Sequence, residues 1–557
     1  MSGRATGAKP PLFSVVTPVF NPPLDALDAA ITSVVEQTFR RWELILVDDR
    51  STDPEVLELL RRRAAEEPRI KVVERETNGH IVAASNDGIE AAVGEFIVLL
   101  DHDDLLTPDA LKRNAQLIRE HDDVDYLYSD EDKVDDTGRH YDLFRKPSWS
   151  PERLRGQMYT GHLSVIRTSV VRAIGGFREG YDGSQDHDLI LRVGEVARRV
   201  VHIPEVLYHW RVVPGSAAGD SNAKPYATIA GRNAVQDHLD RIGIRAEVTH
   251  GPVPGIYHVS RHLDPDVSVS LIIPTRGTEG MVWGRRRVFV VDAVRSLLAA
   301  TDQEHVEVVV VYDTSTPPHV LDALRDVAGD DLTLVRFTEP FNYSRKMNLG
   351  VLHSRGSHLV LLNDDLEALS HGWLEQLVAP LFEPGVGMTG AALYFANGTI
   401  QHAGHAYARK NYKHPFIMEP RGALGPFGAL ALNREASGVT AACAAISREV
   451  FMEIGGFCEA LPLNFNDVDL SCKIRRSGRR IVWLCNVELY HFESQSRARS
   501  VAAWEKDLTV ARWGMPRGQD ELLPQWWEGT RRVASDAKRE RRRATRAGVR
   551  QGAGRRR

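Results

Sequence analysis

One acidic pattern occurs twice in this chain of 557 residues. Residues 98–104 read Val-Leu-Leu-Asp-His-Asp-Asp, and residues 360–365 read Val-Leu-Leu-Asn-Asp-Asp. A short apolar run that stops on clustered carboxylates is typical of a strand buried in a parallel sheet. Carboxylates at the end of such a strand lie in the crevice where open α/β sheets bind ligands. Because crowded aspartates repel one another, the pattern predicts a divalent cation that holds a phosphorylated ligand.

The features around this acidic pattern are duplicated as well. Strand-like runs alternate with helical patterns in both halves of the chain, which predicts parallel sheets with crossover helices. Asp49 and Asp313 each end the second predicted strand and are 264 residues apart, while Asp103 and Asp365 are 262 residues apart. The sequence Ile-Gly-Gly-Phe also occurs late in each half. The repeat therefore covers a whole domain rather than a short solenoid unit.

This duplication determines the predicted fold class and domain boundaries. We expect an α/β chain with two tandem Rossmann-like domains, each built on a mostly parallel sheet. The predicted order is a first domain, a linker with a helix, a second domain, and a helical extension with a basic, disordered tail, at residues 12–213, 214–265, 266–500 and 501–557.

The composition is that of a globular protein. Hydrophobic residues make up 43% of the chain and charged residues 26%, which is ordinary for a folded domain. No stretch reaches the roughly 20 apolar residues of a membrane span, and the first residues lack a signal-peptide pattern. We therefore expect a cytoplasmic location. The four cysteines form no Cys-x-x-Cys pair, which favours reduced thiols over a zinc or redox motif.

Positive charge is concentrated in residues 531–557. Twelve Arg or Lys and two acidic residues give this tail a charge of about +10, which leaves about −15 for the rest of the chain. Such a tail can contact anionic lipid headgroups at roughly 1 kcal/mol per basic residue, or it can be merely solvated. The acidic body and the lack of a nucleic-acid motif argue against a nucleic-acid partner. We predict peripheral contact with the inner face of the plasma membrane.

In their order, these motifs resemble those of family-2 glycosyltransferases of the GT-A fold. The matching motifs of the first half are Thr17-Pro18-Val19-Phe20-Asn21, Val47-Asp48-Asp49, Asp101-His102-Asp103 and Asp186-His187-Asp188-Leu189. Those of the second half are Ile273-Pro274-Thr275-Arg276, Asp313-Thr314-Ser315-Thr316, Asn363-Asp364-Asp365 and Asn466-Asp467-Val468-Asp469-Leu470. The tandem arrangement resembles large two-domain bacterial enzymes of surface-polysaccharide assembly.

The resemblance implies a metal-dependent, inverting sugar transfer. The donor would be a UDP or dTDP sugar, and the acceptor a growing cell-surface glycan or a lipid-linked molecule. Mg²⁺ or Mn²⁺ suits carboxylate and phosphate oxygens and can neutralise a departing diphosphate. Asn363 stands where the first half has an acid, so the second domain is either a second active site or a non-catalytic scaffold.

The resemblance also assigns a role to individual residues. The general bases would be Asp186 and Asp467, although Gln185 and Asn466 precede them where the family commonly has Glu. The donor-binding residues would be Thr17, Pro18, Asp49, Asp101, Pro274, Thr275, Asp313 and Asn363, with Asp49 and Asp313 on the nucleotide base. The metal ligands would be Asp103, Asp365, His491 and His209.

Each assignment has a structural alternative. Aspartates after strands often cap turns or helices, acids favour helix N-termini for dipole reasons, and a histidine near a strand is often structural. His162 either contacts the acceptor or packs in the core. Because several acids follow a buried run in both halves, we favour ligand binding over capping.

Two other enzyme classes also use strand-end carboxylates. A sugar-nucleotide pyrophosphorylase should carry a Gly-rich loop with a basic residue after its first strand, and neither half of this sequence supplies one. A phosphatase with a nucleophilic aspartate needs an Asp-x-Asp pattern, which is missing at Asp49-Arg50-Ser51. The sequence therefore favours sugar transfer.

Overall fold

The computed structural model describes residues 10–212, 225–492 and 502–525. The chain divides into two compact units, residues 1–260 and 261–557, and each unit has its own sheet. In the described part of the chain, none of the helices combines the length and the apolar character that a membrane crossing requires. The predicted basic tail, 531–557, lies outside the described residues.

The first unit alternates strands with helices. Its strands are β1 Phe13–Val19, β2 Trp42–Asp48, β3 Ile70–Glu74, β4 Phe96–Leu99, β5 Leu105–Leu106, β6 Tyr126–Val134, β7 His140–Phe144, β8 Ser164–Arg167, β9 Val200–Arg211, β10 Ala246–His250 and β11 Tyr257–Arg261. Its helices are α1 Leu24–Val35, α2 Pro54–Glu66, α3 His80–Ala91, α4 Ala110–Glu120, α5 Pro151–Gly156, α6 Thr168–Ala173, α7 Gln185–Val196 and α8 Pro225–Arg241.

The main sheet of the first unit is buried on both faces. Its strand order is β3-β2-β1-β4-β8-β6-β9-β5, with β7 paired to β6. Strand β1 is parallel to both β2 and β4, while β8 is antiparallel to β4 and β6. Phe13 and Val15 enter one hydrophobic core, and Val16 enters the other. This two-sided burial explains why the strands read as continuous apolar runs in the sequence.

The second unit repeats this plan with a longer insertion. Its strands are β12 Val269–Thr275, β13 Glu279–Val282, β14 Arg285–Val288, β15 Val306–Asp313, β16 Leu332–Phe337, β17 His358–Leu362, β18 Leu366–Ala368, β19 Val386–Tyr394, β20 Ile400–His402, β21 Ala406–Ala408, β22 Asn411–Lys413, β23 Arg434–Glu435, β24 Cys443–Ser447 and β25 Arg480–His491. Its helices are α9 Phe289–Ala299, α10 Pro318–Ala328, α11 Tyr343–Leu352, α12 Trp373–Val378, α13 Arg448–Glu453, α14 Asn466–Arg476 and α15 Ala503–Trp513, with 3₁₀ turns at Gly329–Asp331, Ala379–Phe382 and Pro426–Gly428.

The two main sheets have the same topology. The second sheet runs β16-β15-β12-β17-β24-β19-β25-β18. Each of its strands has a counterpart at the same position in the first sheet. In each sheet the first strand lies between two parallel neighbours, with the next strand of the chain on one side and a later strand on the other. Each unit therefore has a topological switch point, which is where ligands bind in such folds. The predicted α/β fold with two tandem, mostly parallel domains is therefore confirmed.

The duplication extends to side-chain packing. A Cβ atom on Gly88 would lie 2.4 Å from Val16 Cγ1, and one on Gly350 would lie 2.6 Å from Ile272 Cγ2. The glycines therefore let α3 and α11 approach the first strand of their sheets closely.

The repeated Ile-Gly-Gly-Phe sequence has the same role in both units. Asn86 Nδ2 donates to the carbonyl of Phe177, and its Oδ1 accepts from the Phe177 N–H. Asn348 makes the same pair of bonds to Phe457. Each Phe is thereby tied to a helix on the same face of its own sheet.

The helix of the predicted linker, α8, packs against the first unit. Most of the described part of the predicted linker, residues 225–260, belongs to the first compact unit. Its helix α8 packs on α7, where His238 Nδ1 donates to Glu195 Oε1 at 2.7 Å. In the second unit, the extension helix α15 packs on α14, where Arg512 Nε and Trp513 Nε1 each donate to Asp469 at 2.7 Å.

Candidate functional site

The first unit has a cleft at the carboxyl ends of its parallel strands. Its volume is about 1020 Å³. Among the predicted site residues, those that line it are Pro18, Asp49, Asp101, Asp103 and Asp186. Thr17 is buried in β1 with 1% exposure, one residue before the lining begins. The structure therefore brings predicted base-binding, metal-binding and proton-accepting carboxylates together in one cleft.

Asp49 has one occupied and one unoccupied carboxylate oxygen. Its Oδ1 accepts from Arg75 Nη1 at 2.5 Å and from the Gly79 N–H at 2.9 Å. Within the described residues, its buried Oδ2 has no hydrogen-bond partner. A buried acceptor without a partner is unusual. The side chain is thus oriented by two donors and keeps one oxygen for a ligand.

The acidic loop after β4 contains carboxylates of two kinds. Asp103 lines the cleft, and burial together with the neighbouring Asp101 raises its pKa. Asp104 is fully buried, where it accepts from Tyr208 Oη at 2.5 Å and from the Arg211 N–H at 2.7 Å. Asp104 therefore ties the loop to β9, while Asp101 and Asp103 face the cleft.

An imidazole that the sequence did not assign as a ligand lies beside this loop. His162 Nε2 lies 3.8 Å from Asp101 Oδ2, and His162 Nδ1 lies 3.3 Å from Glu131 Oε2. Lys146 Nζ in turn donates to Glu131 Oε2 at 2.9 Å. Burial disfavours the imidazolium, but Glu131 outweighs that effect and raises the pKa of His162 to about 9. Asp101, Asp104 and His162 lie close together, but His162 would have to lose its proton before it could bind a metal ion.

His209, the predicted late ligand of the first unit, lies elsewhere. Its Nδ1 donates to Asp132 Oδ1 at 2.5 Å, and it is not among the residues that line the cleft. Trp210, the next residue, lines the cleft instead. Asp186 and Asp467 are 281 residues apart, and the same spacing pairs Trp210 with His491. This spacing indicates from the sequence that Trp210, and not His209, is the counterpart of His491. The difference of one residue matters because adjacent strand residues face opposite sides of a sheet.

Two aspartates begin helix α7 and have different surroundings. Asp186 lines the cleft, its Oδ1 accepts from the His187 N–H at 2.8 Å, and burial raises its pKa. Asp188 is fully buried and pairs with Arg192 Nη2 at 2.7 Å. Asp186 therefore faces the cleft, whereas Asp188 is tied to an arginine inside the first unit.

The second unit has a cleft of about 720 Å³ at the equivalent edge of its sheet. The predicted residues that line it are Pro274, Thr275, Asn363, Asp365, Asp467 and His491. Asp313 is not among the lining residues. Lys346 Nζ lies 2.7 Å from Asp313 Oδ1 and donates to the Thr275 carbonyl at 2.8 Å. Sequence reasoning missed this buried lysine. The two clefts therefore differ in the cation beside the strand-end aspartate, which is Arg75 in the first unit and Lys346 in the second.

His491 lies beside the strand-end residues Asn363 and Asp365. Its Nδ1–H donates to Gln401 Oε1 at 2.6 Å, so Nε2 keeps its lone pair in the neutral ring. Asn363 Nδ2 donates to that nitrogen at 3.0 Å, and Asp365 Oδ1 lies 3.1 Å from it. An imidazole fixed by a bond at its other nitrogen is the usual arrangement of a metal-binding histidine. These groups fit a divalent ion held by Asp365 and His491.

Asp467 occupies the position of Asp186 in the second unit. Its Oδ1 accepts from the Val468 N–H at 2.8 Å, as Asp186 does from His187. His405 Nε2 lies 3.8 Å from Asp467 Oδ2. Burial lowers the pKa of His405 to about 3, so this imidazole is neutral. His405 and its neighbours His402 and His414 come from the insertion and were also missed, since the first half offers no counterpart to compare.

Comparison with known proteins supports a single family for both halves. The family description "Glycosyl transferase family 2" matches residues 14–175 and 270–455. An uncharacterized protein of Sinorhizobium fredii, y4gI, is 43% identical over 494 residues, which is 87% of this chain and 54% of that protein. The O-antigen biosynthesis protein RfbC of Myxococcus xanthus is 36% identical over 521 residues, which is 92% of this chain and 40% of that protein. The chain thus spans about half the length of these relatives or less.

Solved structures show a more distant likeness. A Staphylococcus aureus TarS fragment, residues 1-349, in complex with UDP-GlcNAc has a TM-score of 0.35 and 22% identity, and the match covers 41% of this chain and 66% of that one. The mannosyltransferase PcManGT of Pyrobaculum calidifontis, in complex with GDP-Man and Mn²⁺, has a TM-score of 0.32 and 19% identity over 42% of this chain and 64% of that one. The family match alone covers more than half of the chain. The protein therefore belongs to glycosyl transferase family 2, and each half carries one copy of the family's domain.

Proposed function

We propose that this protein transfers sugars from nucleotide-diphosphate donors of the UDP or dTDP type to a growing cell-surface glycan or a lipid-linked acceptor. The observation that carries the proposal is the repeated cleft, in which strand-end acids and a carboxylate at a helix N-terminus face one space. Family membership supports sugar transfer, and the likeness to an O-antigen biosynthesis protein supports a polysaccharide acceptor.

The nucleotide base would be recognised by Asp49 in the first unit. Uracil and thymine offer an N3–H donor, and Asp49 Oδ2 is a buried acceptor with no partner among the described residues. Arg75 and Gly79 hold the carboxylate in place through its other oxygen. In the second unit Asp313 would have the same role. Two cations lie near it: Lys346 beside its Oδ1, and Arg276 with Nε 3.5 Å from its Oδ2.

The diphosphate would be held through a Mg²⁺ or Mn²⁺ ion. Such an ion, when bound, neutralises the charge that develops on the leaving group. In the first unit Asp103 and Asp101 offer the hard oxygen ligands that these ions prefer, and His162 stands beside them. In the second unit Asp365 and His491 would be the ligands, and Asn363 would contribute a neutral hydrogen bond.

The proton of the acceptor hydroxyl would pass to Asp186 or Asp467. In an inverting transfer, the hydroxyl oxygen attacks the anomeric carbon opposite the leaving group while a carboxylate accepts the hydroxyl proton. Burial raises the pKa of Asp186, which makes it a stronger base than an exposed aspartate. Both carboxylates are oriented by the N–H of the following residue, so they are held ready before substrate binds.

Separate substitutions of the two bases test the proposal and whether the protein is bifunctional. Asp186→Asn and Asp467→Asn would be assayed with a panel of nucleotide sugars, with exposed Asp322→Asn as the matched control. Loss of a different linkage in each variant would establish two active sites. Loss in Asp186→Asn alone would make the second unit a scaffold. Unchanged transfer in both variants would refute the base assignment.

A further inference from the structure

The second cleft contains three imidazoles that the proposed sugar transfer does not use. His402 ends β20, His405 precedes β21, and His414 follows β22. Their ring centroids are 4.8 to 5.1 Å apart in all three pairs. His402 is 1% exposed and His405 3% exposed. Two buried histidines and a third thus converge on one point of the cleft wall.

The hydrogen bonds of this cluster fix the tautomer of His402. The Thr440 N–H donates to His402 Nε2 at 3.2 Å, so the ring proton of neutral His402 is on Nδ1. That proton is directed at His414 Nδ1, 2.8 Å away. His405 Nδ1 lies 3.3 Å from Tyr407 Oη, which leaves its Nε2 on the side of Asp467, 3.8 Å from Oδ2. The three rings therefore meet at the contact between His402 and His414.

We propose that His402, His405 and His414 form a second cation site, for a transition-metal ion of the zinc class. One nitrogen from each ring lies within 4.8 Å of the others, and three imidazoles are a ligand set that zinc accepts. Imidazole nitrogen favours zinc over Mg²⁺ or Mn²⁺, which prefer oxygen. The ion would be held by one nitrogen of each ring. For His402 to bind through Nδ1, its proton would have to be carried on Nε2, and the ring would have to turn away from the Thr440 N–H, because two donors cannot face each other.

This site is separate from the one proposed for the donor's cation. It uses none of Asn363, Asp365 and His491, although Gln401, which fixes His491, directly precedes His402. Its ion would lie beside Asp467 and offset the charge of that carboxylate. The three histidines lie in the stretch between β19 and β24, at residues 395–442. The equivalent stretch of the first unit, 135–163, has two histidines, so the proposed site distinguishes the second unit from the first.

The test is the metal content of the full-length protein, purified without a polyhistidine tag. We expect about one zinc ion per chain after dialysis. Cobalt(II) added to the metal-free protein should give the intense visible ligand-field bands of a four-coordinate site. His414→Gln and His402→Gln should lose both the zinc and the cobalt bands. Asp365→Asn should keep them, and so should His140→Gln, a control from the Asp132–His140–His209 cluster of the first unit.

Three results would overturn the zinc site. One is wild-type protein that retains no zinc and gives no cobalt bands, a measurement that needs no variant and so does not depend on folding of a mutant. The second is zinc that is lost in Asp365→Asn but retained in His414→Gln, which would assign the ion to the donor site. The third is zinc that is lost in His140→Gln but retained in the other variants. Sugar transfer is not measured, so failure of the proposed function would leave these results unaffected.

Discussion

The hydrogen bond between Gln401 and His491 offers a sharp test of the proposed cation site in the second unit. Gln401 Oε1 accepts from His491 Nδ1–H at 2.6 Å, and this bond directs the lone pair of Nε2 toward Asn363 and Asp365. Gln401→Leu removes the acceptor but retains much of the side-chain volume. His491 is then free to adopt its other tautomer, in which Nε2 carries the proton and cannot bind a metal ion.

The expected loss follows from the burial of this pair. Gln401 is 6% exposed and His491 also 6%, so water cannot readily replace the lost bond. Leaving a buried donor unsatisfied costs about 1–3 kcal/mol, and loss of such an outer partner lowers metal affinity about 10–100-fold. We therefore expect Mn²⁺ to bind the second unit about 10–100-fold more weakly in Gln401→Leu.

Isothermal titration of Mn²⁺ into metal-free protein measures this loss directly. Asp103→Asn should be combined with each variant so that the first unit does not contribute to the signal. Gln401→Glu is the matched control, because its carboxylate still accepts from Nδ1 and should preserve or strengthen binding. If Gln401→Leu folds with an unchanged melting temperature and binds Mn²⁺ as tightly as Gln401→Glu does, the proposed role of His491 is wrong.

Three further outcomes separate structural from functional residues. Asp188→Ala should destabilise the first unit by about 3–5 kcal/mol, because a buried partner arginine loses its counter-charge, whereas Asp186→Asn should leave the chemical denaturation midpoint nearly unchanged; equal midpoints would contradict this distinction. Hydrogen bonds from Arg198 lower the pKa of Asp125 to about 2. Its stabilising contribution is therefore present above the unfolded pKa of about 3.9 and is lost as the pH falls through about 2. In urea titrations at decreasing pH, the stability of Asp125→Asn should fall less steeply than that of the wild type, and an identical fall would refute this. Deletion of 531–557 should reduce sedimentation with anionic vesicles and leave transfer to soluble acceptors intact; undiminished sedimentation would exclude the tail as the contact.

The repeat in the sequence was enough to predict the fold. Strands that are buried on both faces read as apolar runs, and two such runs in each half end at carboxylates where the chain leaves the core. Asp101 and Asp103 could be placed at the cleft for this reason, whereas Asp186, at the start of α7, was assigned through the family resemblance. Asp365 followed from the second copy of the pattern, and His491 from the family resemblance.

Contacts between distant segments decided the rest. His209 and Trp210 are adjacent in the sequence, and in the structure Trp210 lines the cleft while His209 pairs with Asp132. Lys146 and Lys346 are buried beside carboxylates that lie 15 and 33 residues away in the chain, and no local pattern indicates such pairs.

The sequence alone therefore determined the tandem α/β plan and the strand-end acids, because periodicity and abrupt polarity changes are local properties. The tertiary structure decided which histidines meet those acids, how the two clefts differ, and where residues 225–260 belong. These three features depend on side chains that are distant in the sequence and come into contact only in the folded protein. The free energy of such a contact does not depend on how far apart the residues lie along the chain, so no local sequence pattern indicates it.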